Sequence, residues 1–234
     1  MQPKIYSLID KAIYDYDLIP RDSKILVGAS GGKDSTLLLE YFSKRLRRKD
    51  EHFSVTGLYI QTDFAQAFNP QLKEMIEGWG IKIESLYVNT LERVKEGYKM
   101  SCYWCSLQRR KEIIDYAIAN GYDTIALGHH LDDVLETLLM NMLRKGSLET
   151  MTPKMIYQKY PVKVIRPLYY TPVREIIDYA TKSGWQQVTC TCSYQDNSGR
   201  KEARRRLEAL TAGDDKQKLH MISALKNIRP EYLP

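Results

Sequence analysis

A short apolar run, Ile25-Leu26-Val27, leads into the turn Ser30-Gly31-Gly32-Lys33-Asp34-Ser35. The chain then continues as a helix-like segment from Thr36 through Leu37, Leu38 and Leu39 to Tyr41 and Phe42. Strand, glycine turn and helix start, in that order, make a cradle for phosphate. The glycines let backbone N–H groups close on an anion, the helix N-terminus adds positive potential, and Lys33 adds a full charge. The spacing is not that of the Walker loop, because only Ala29 and Ser30 separate Gly28 from the glycine pair. An acid inside such a loop repels phosphate unless a metal ion bridges the two, so Asp34 points to a magnesium-bound pyrophosphate. A polar turn that only caps a helix is the competing reading of Ser and Gly here. The strand before the turn and the apolar helix after it favour phosphate.

The same strand-then-helix unit recurs along the first two-thirds of the chain. Apolar or β-rich runs at 25–28, 54–60, 81–88 and 123–127 read as strands. Helical patterns occupy 34–48, 70 to about 78, 106–119 and 132–143, and a leading helix over 4–18 carries Ile5, Leu8, Ile9, Ala12, Ile13 and Tyr16 on one face. Alternation of this kind implies an α/β fold: a parallel sheet with right-handed crossovers and helices on both faces. Ligands in such folds sit outside the carboxyl ends of the strands. Here those ends carry Gly28, the segment Gln61-Thr62-Asp63, and Gly128-His129. Beyond Lys145 the pattern loosens, interrupted by Pro153, Pro161, Pro167 and Pro172. A short edge strand is expected at 162–165, and helices at 172–182, 203–210 and about 216–227. The division expected is a leading helix (1–20), a nucleotide-binding core (21–150) and a mainly helical C-terminal extension (151–234). That extension is either a small substrate module or a continuation of the same domain.

Composition narrows the class. The chain has 234 residues, 43% hydrophobic and 27% charged, and no run approaches the length of a membrane span. The N-terminal Met1-Gln2-Pro3-Lys4 lacks a signal peptide's apolar core, so a cytoplasmic location is expected. A net charge of +6 is concentrated in two clusters, Lys44-Arg45 with Arg47-Arg48-Lys49, and Arg200-Lys201 with Arg204-Arg205-Arg206. Solvated helix faces carry such runs, but the second lies beside candidate site cysteines, where a polyanion contact is the better reading. Seventeen tyrosines supply core aromatics and, where exposed, stacking surfaces for unpaired bases.

The four cysteines form two close pairs, Cys102 with Cys105 and Cys190 with Cys192. In a cytoplasmic chain this reads as a metal or redox site more readily than as a disulfide framework. Cys102-Tyr-Trp-Cys105 has the spacing that lets two thiolates reach one metal, whether zinc or an iron–sulfur cluster, and a redox disulfide could use it too. Residues i and i+2 of an extended chain point to opposite faces, so one of Cys190 and Cys192 would fall short. Three thiolates and an open position suit a reactive [4Fe–4S] cluster. Reduced thiols packed in a core remain the alternative. Gly128-His129-His130-Leu-Asp132-Asp133 joins the fourth strand to the next helix, where His and Asp can position nucleotide and metal or cap the helix. Arg109-Arg110, just after Cys105, is suited either to phosphate or to a helix surface.

Taken together, these residues resemble the N-type ATP pyrophosphatases, whose signature S-G-G-x-D-S is met by residues 30–35. Within that superfamily the chain is similar to the TtcA-like tRNA 2-thiolation enzymes. The similarity is carried by Ser30 to Ser35, by Cys102-x-x-Cys105 with Arg109-Arg110, and by Ala126-Leu-Gly-His-His-x-Asp-Asp133. Leu138-Leu-Met-Asn-Met142, Thr152-Pro-Lys154, Ile165-Arg-Pro-Leu168 and a late cysteine also match. The late motif departs from the family's usual form, reading Cys190-Thr-Cys192-Ser-Tyr. Aligning Ser193-Tyr194 and Arg200 favours Cys192 as the third cluster ligand, with Cys190 the alternative.

The resemblance implies a Rossmann-like, adenine nucleotide alpha hydrolase-like PP-loop domain using ATP, Mg2+ and a [4Fe–4S] cluster. It implies that a tRNA base is adenylated at its C2 oxygen and then thiolated, most closely as 2-thiocytidine. Ala29 to Ser35, Gly128 and His129 would hold ATP, with Lys111 a further α-phosphate contact. Asp34 and Asp133 would hold magnesium, and Lys33, Asp34, Asp133 and Cys192 would serve catalysis. A sulfur donor such as a cysteine desulfurase, and a homodimer, are implied as partners. The rivals are 2-thiouridine synthesis, a lysidine-type ligase, a zinc-stabilised RNA-binding protein and a dithiol redox protein.

Overall fold

A computed structural model describes residues 2–94, 101–185 and 198–232, with the side chains of all but Cys102 and Ser198. Six strands form one sheet: β1 (Ser23–Gly28), β2 (Phe53–Thr62), β3 (Lys82–Val88), β4 (Thr124–Ala126), β5 (Lys154–Ile156) and β6 (Lys163–Ile165). Their order is β3-β2-β1-β4-β6-β5, parallel throughout except that β5 runs antiparallel to β6.

β1 is central, and Ile25, Leu26 and Val27 are all fully buried, as a strand covered on both faces requires. Their alternation divides the core. Ile25 and Val27 face α1 (Lys4–Asp15), α2 (Lys33–Arg45), α3 (Pro70–Gly78) and α6 (Val173–Lys182). Leu26, with Leu58, Ile60 and Ile125, faces Ile114 and Ala117 of α4 (Cys102–Ala119). A third cluster joins α5 (Leu131–Lys145) to α7 (Ser198–Thr211) and α8 (Asp215–Ala224) through Leu135, Leu207 and Ile222. None of the described helices is long and apolar enough to cross a membrane.

Two sequence expectations need correction. The strand expected at the sheet edge near 162–165 is interior: β6 pairs with β4 on one side and β5 on the other. The edge is β5, three residues lying between Pro153 and Pro161 with no alternation to announce them. α4 starts at Cys102, not Ser106, because the Ser101 hydroxyl accepts from the Trp104 N–H (3.2 Å) and caps it there. The cysteine pair therefore rides on the first turn of a helix. β5 and β6 extend the same sheet, so this part of the chain beyond 150 continues the fold of the core.

Candidate nucleotide-binding site

At the carboxyl end of β1 the chain turns through Gly31 with a positive φ of 78° and enters α2 at Lys33. The turn holds itself together. Ser30 N–H donates to Ser35 Oγ (3.2 Å), Gly32 N–H to Ser30 Oγ (3.3 Å), and the Ser35 and Thr36 hydroxyls return to the Gly32 carbonyl (3.1 and 3.0 Å). Lys33 Nζ lies 3.0 Å from both oxygens of Asp34. Gly128, at the end of the neighbouring β4 segment, presses on this turn. A Cβ there would stand 3.1 Å from Asp34 Cβ and 3.2 Å from the Ser35 nitrogen.

The two strand tips enclose a cavity of about 280 Å3. Ala29, Ser30, Asp34 and Ser35 line it from the turn, and Gly128, His129 and Asp133 from the β4–α5 connection. Leu58, Ile60 and Leu127 give it an apolar floor, and Arg109 and Ile113 of α4 close the remaining side. Gly28 pairs in register with Leu58, which is what brings the tip of β2 under the turn. An apolar floor beside an amide-rich turn, with two carboxylates facing the same space, accommodates a base, a phosphate chain and a divalent cation together.

A PP-loop domain, as a family model, matches residues 1–210. The chain belongs to the PP-loop family. It is 32% identical to tRNA-cytidine(32) 2-sulfurtransferase 1 of Francisella philomiragia, over 99% of this chain and 92% of that one. It is 31% identical to the tRNA-cytidine(32) 2-sulfurtransferase of Legionella pneumophila, over 100% of this chain and 84% of that one. Similarity at that level over nearly whole chains makes it a member of the same sulfurtransferase group. Among solved structures, the U34-tRNA thiolase NcsA of Methanococcus maripaludis, determined with its [4Fe-4S] cluster, superposes with a TM-score of 0.76 at 21% identity, over 97% of this chain and 80% of that one, which shows the shared fold.

The two adjacent acids of the PP-loop chain's second motif are divided by α5. Asp133 faces the cavity: it accepts from the His130 N–H (3.1 Å) in a capping box and from Arg200 of α7 (3.2 Å). Burial alone would raise its pKa, but the facing imidazoles of His130 and His129, the His130 backbone N–H and the Arg200 guanidinium outweigh it and hold the carboxyl below its ordinary value. Asp132 faces the interior, accepting from Val173 N–H and from buried Lys218, both at 2.7 Å, and so ties α5 to α6 and α8. His129 is pushed down to about 4, first by burial and then by Arg166, Arg200 and Arg110 against the opposing Asp133, and its Nδ1 is buried with no partner among the described residues. It is neutral at pH 7.

One expected phosphate contact lies away from the cavity, and the cavity floor carried no signal in the sequence. Lys111 pairs with Asp115 on the exposed face of α4 and does not line the cavity; Arg109, one turn after Cys105, does. Leu58 and Ile60 carry no chemical signature and emerge only from strand register. Of the cysteines, Cys102 and half-buried Cys105 sit on the first turn of α4, and Ser106 lines a second recess that shares Arg109 and His129 with the nucleotide cavity. Cys190 and Cys192, and the Cys102 side chain, lie outside the described residues. In the first basic cluster Lys44 pairs with Glu40, Arg45 with Asp10 and Glu51, and Arg48 with Asp10. The second turns partly inward: Arg200 pairs with Asp133 and Arg204 with Glu136, while Arg205 and Arg206 share Glu202.

Proposed function

We propose that this chain carries out ATP-dependent thiolation of a cytosine in tRNA, forming 2-thiocytidine. One observation carries the reading: the phosphate turn and Asp133 line one cavity together with Arg109 of α4, one turn beyond Cys105. The likeness to tRNA-cytidine 2-sulfurtransferases over nearly the whole chain supports it.

In this reading the amides of residues 30–35 and Lys33 hold the phosphates of ATP, and Asp34 and Asp133 hold magnesium. Both acids face the cavity, and Asp133 is kept ionised by its neighbours. With magnesium bound, Asp34 would serve the metal and Lys33, now 3.0 Å from both Asp34 oxygens, would be free to meet the phosphates. Leu58 and Ile60 receive the adenine ring. Arg109 meets the charge that gathers on the α-phosphate as it is attacked. The base O2 attacks the α-phosphorus and pyrophosphate leaves. A sulfur atom then displaces AMP at C2, and the former base oxygen departs with the AMP. Adenylation is needed because an amide-like oxygen leaves poorly and AMP leaves well.

The donor set fits an iron–sulfur cluster held by Cys102, Cys105 and Cys192, with Cys190 the alternative. Positions 102 and 105 share one helical turn, and a helix N-terminus favours thiolates. Such a cluster, when bound, supplies an iron with a free position for sulfur. The same family resemblance supports a cysteine-desulfurase-type sulfur donor, a homodimer and a cytoplasmic setting.

Mass analysis of nucleosides in tRNA from cells lacking the gene tests the reading. Loss of 2-thiocytidine is expected. Unchanged 2-thiocytidine would contradict it, and loss of 2-thiouridine instead would reassign the base. Anaerobically purified protein should also absorb in the visible sulfur-to-iron region, where a zinc protein is colourless.

A further inference from the structure

Beside the nucleotide cavity lies a second recess of about 170 Å3, between α4 and the β4-β6-β5 side of the sheet. The two share Arg109, Ile113, Leu127 and His129 as a common wall. On the far side the recess is apolar, built from Ile125, Val164 and Met155. Its polar groups are unusual in sign: Arg109, Arg110 and Arg166 all line it, no carboxylate does, and among the described residues no acid pairs with any of the three. Arg166 is 7% exposed. One of its terminal nitrogens donates to the Thr152 carbonyl (2.5 Å), and its Nε is buried with no partner among the described residues. Burial and the facing Arg110 both pull the Arg166 pKa down. A buried donor left unpaired, beside an uncompensated like charge, is costly unless an acceptor-bearing group occupies the space.

We propose that this recess receives the target pyrimidine ring, swung out of an unpaired stretch of RNA. The inference rests on the thiolation reading and adds where the base sits. The volume is below the ~300–1,000 Å3 of pockets that take whole small molecules, so one ring enters and its sugar and phosphate stay outside. Ile125, Val164 and Met155 pack against the ring. Arg166 and exposed Arg110 donate to its acceptor edge, which in cytosine is O2 and N3, the pairing that guanidinium groups make with base acceptors. The shared wall places the ring next to the nucleotide cavity, and Ser106 on the rim follows Cys105 directly. A base held here lies between the phosphate turn and the cysteine end of α4, as successive adenylation and thiolation require.

The test uses full-length protein with a non-hydrolysable ATP analogue and two RNA hairpins. They are identical except that one has a loop cytidine where the other has an abasic site. Native protein should bind the cytidine hairpin at least about tenfold more tightly, the scale set by packing one base on a protein surface. Met155→Trp fills the recess, and Arg110→Gln removes an exposed donor without disturbing the core. Either should bring the ratio towards one while affinity for the ATP analogue stays within twofold. Equal binding of both hairpins by native protein, or a ratio preserved in both variants, would overturn the proposal. A base preference that vanishes in the variants, in a protein forming no 2-thiocytidine, keeps the pocket and removes the thiolation reading. Thiolation that persists in both variants keeps that reading and removes the pocket.

Discussion

Gly128→Ala is the most informative single substitution. The added methyl would sit 3.1 Å from Asp34 Cβ, 3.2 Å from the Asp34 carbonyl carbon and 3.2 Å from the Ser35 nitrogen, all inside the 3.4–4 Å of ordinary contact. The backbone of Gly128 lies outside the left-handed region, so the cost is contact alone. Two of the three atoms are main chain at the start of α2 and cannot rotate away. The turn must therefore retreat by a few tenths of an ångström. Overpacking of this kind costs about 1–3 kcal/mol, and it falls on the amides that hold phosphate. With about 1.4 kcal/mol per tenfold in affinity, binding of magnesium–ATP should weaken roughly ten- to hundredfold. The melting temperature should fall by a few degrees, at ~2–4 °C per kcal/mol for a chain of this size. Isothermal titration and thermal unfolding read both. Gly78→Ala is the control, since a Cβ there meets nothing within 4 Å. Binding within twofold of native by Gly128→Ala, at an unchanged melting temperature, would refute the close approach of the two strand tips as the basis of the site.

Other perturbations address separate links. Asp34→Ala should cut pyrophosphate release by about a hundredfold, the scale of losing one electrostatic group at a reacting centre, while visible absorption of the cluster persists; release at the native rate would remove Asp34 from metal binding. Lys218→Met leaves the Asp132 carboxylate buried with, among the described residues, the Val173 N–H as its remaining hydrogen-bond donor, which should cost about 3–5 kcal/mol in urea unfolding. A loss under about 1 kcal/mol would show the pair to be unimportant for joining α5 to α8. His129 titrates near 4 when folded and near 6.5 when free, so the unfolded chain takes up its proton first. Its contribution, on the order of 3 kcal/mol, is complete above pH 6.5 and drains away as pH falls towards 4. His129→Gln should flatten that limb of the stability profile, and an unchanged slope would mean the imidazole is not held neutral.

The phosphate turn was legible because its chemistry is contiguous: six residues supply the bend, the charge and the helix start, and the strand before them fixes their position. The parallel order of β1 to β4 followed from the same alternation. The rest of the site depends on which positions of different elements come to face one another. Leu58 looks like any core residue until the β1–β2 register sets it beside Gly28. Asp132 and Asp133 are equivalent as letters, and only the entry angle of α5 sends one to Lys218 and the other to the cavity. The Ser101 cap moves the start of α4 back to the cysteines, and the packing of α4 on the sheet turns Arg109, not Lys111, into the cleft. β5 was invisible because three residues between prolines carry no period. The choice between Cys190 and Cys192 falls outside the described residues.

The central claim is that the base oxygen itself attacks ATP before sulfur replaces it. It is tested most directly by following that oxygen. A tRNA carrying heavy oxygen at C2 of the target cytidine, turned over with ATP, a sulfur donor and cluster-loaded protein, should yield AMP that bears the label, one labelled AMP for each thiolated base. Label released to water, with AMP unlabelled, would contradict adenylation of the base.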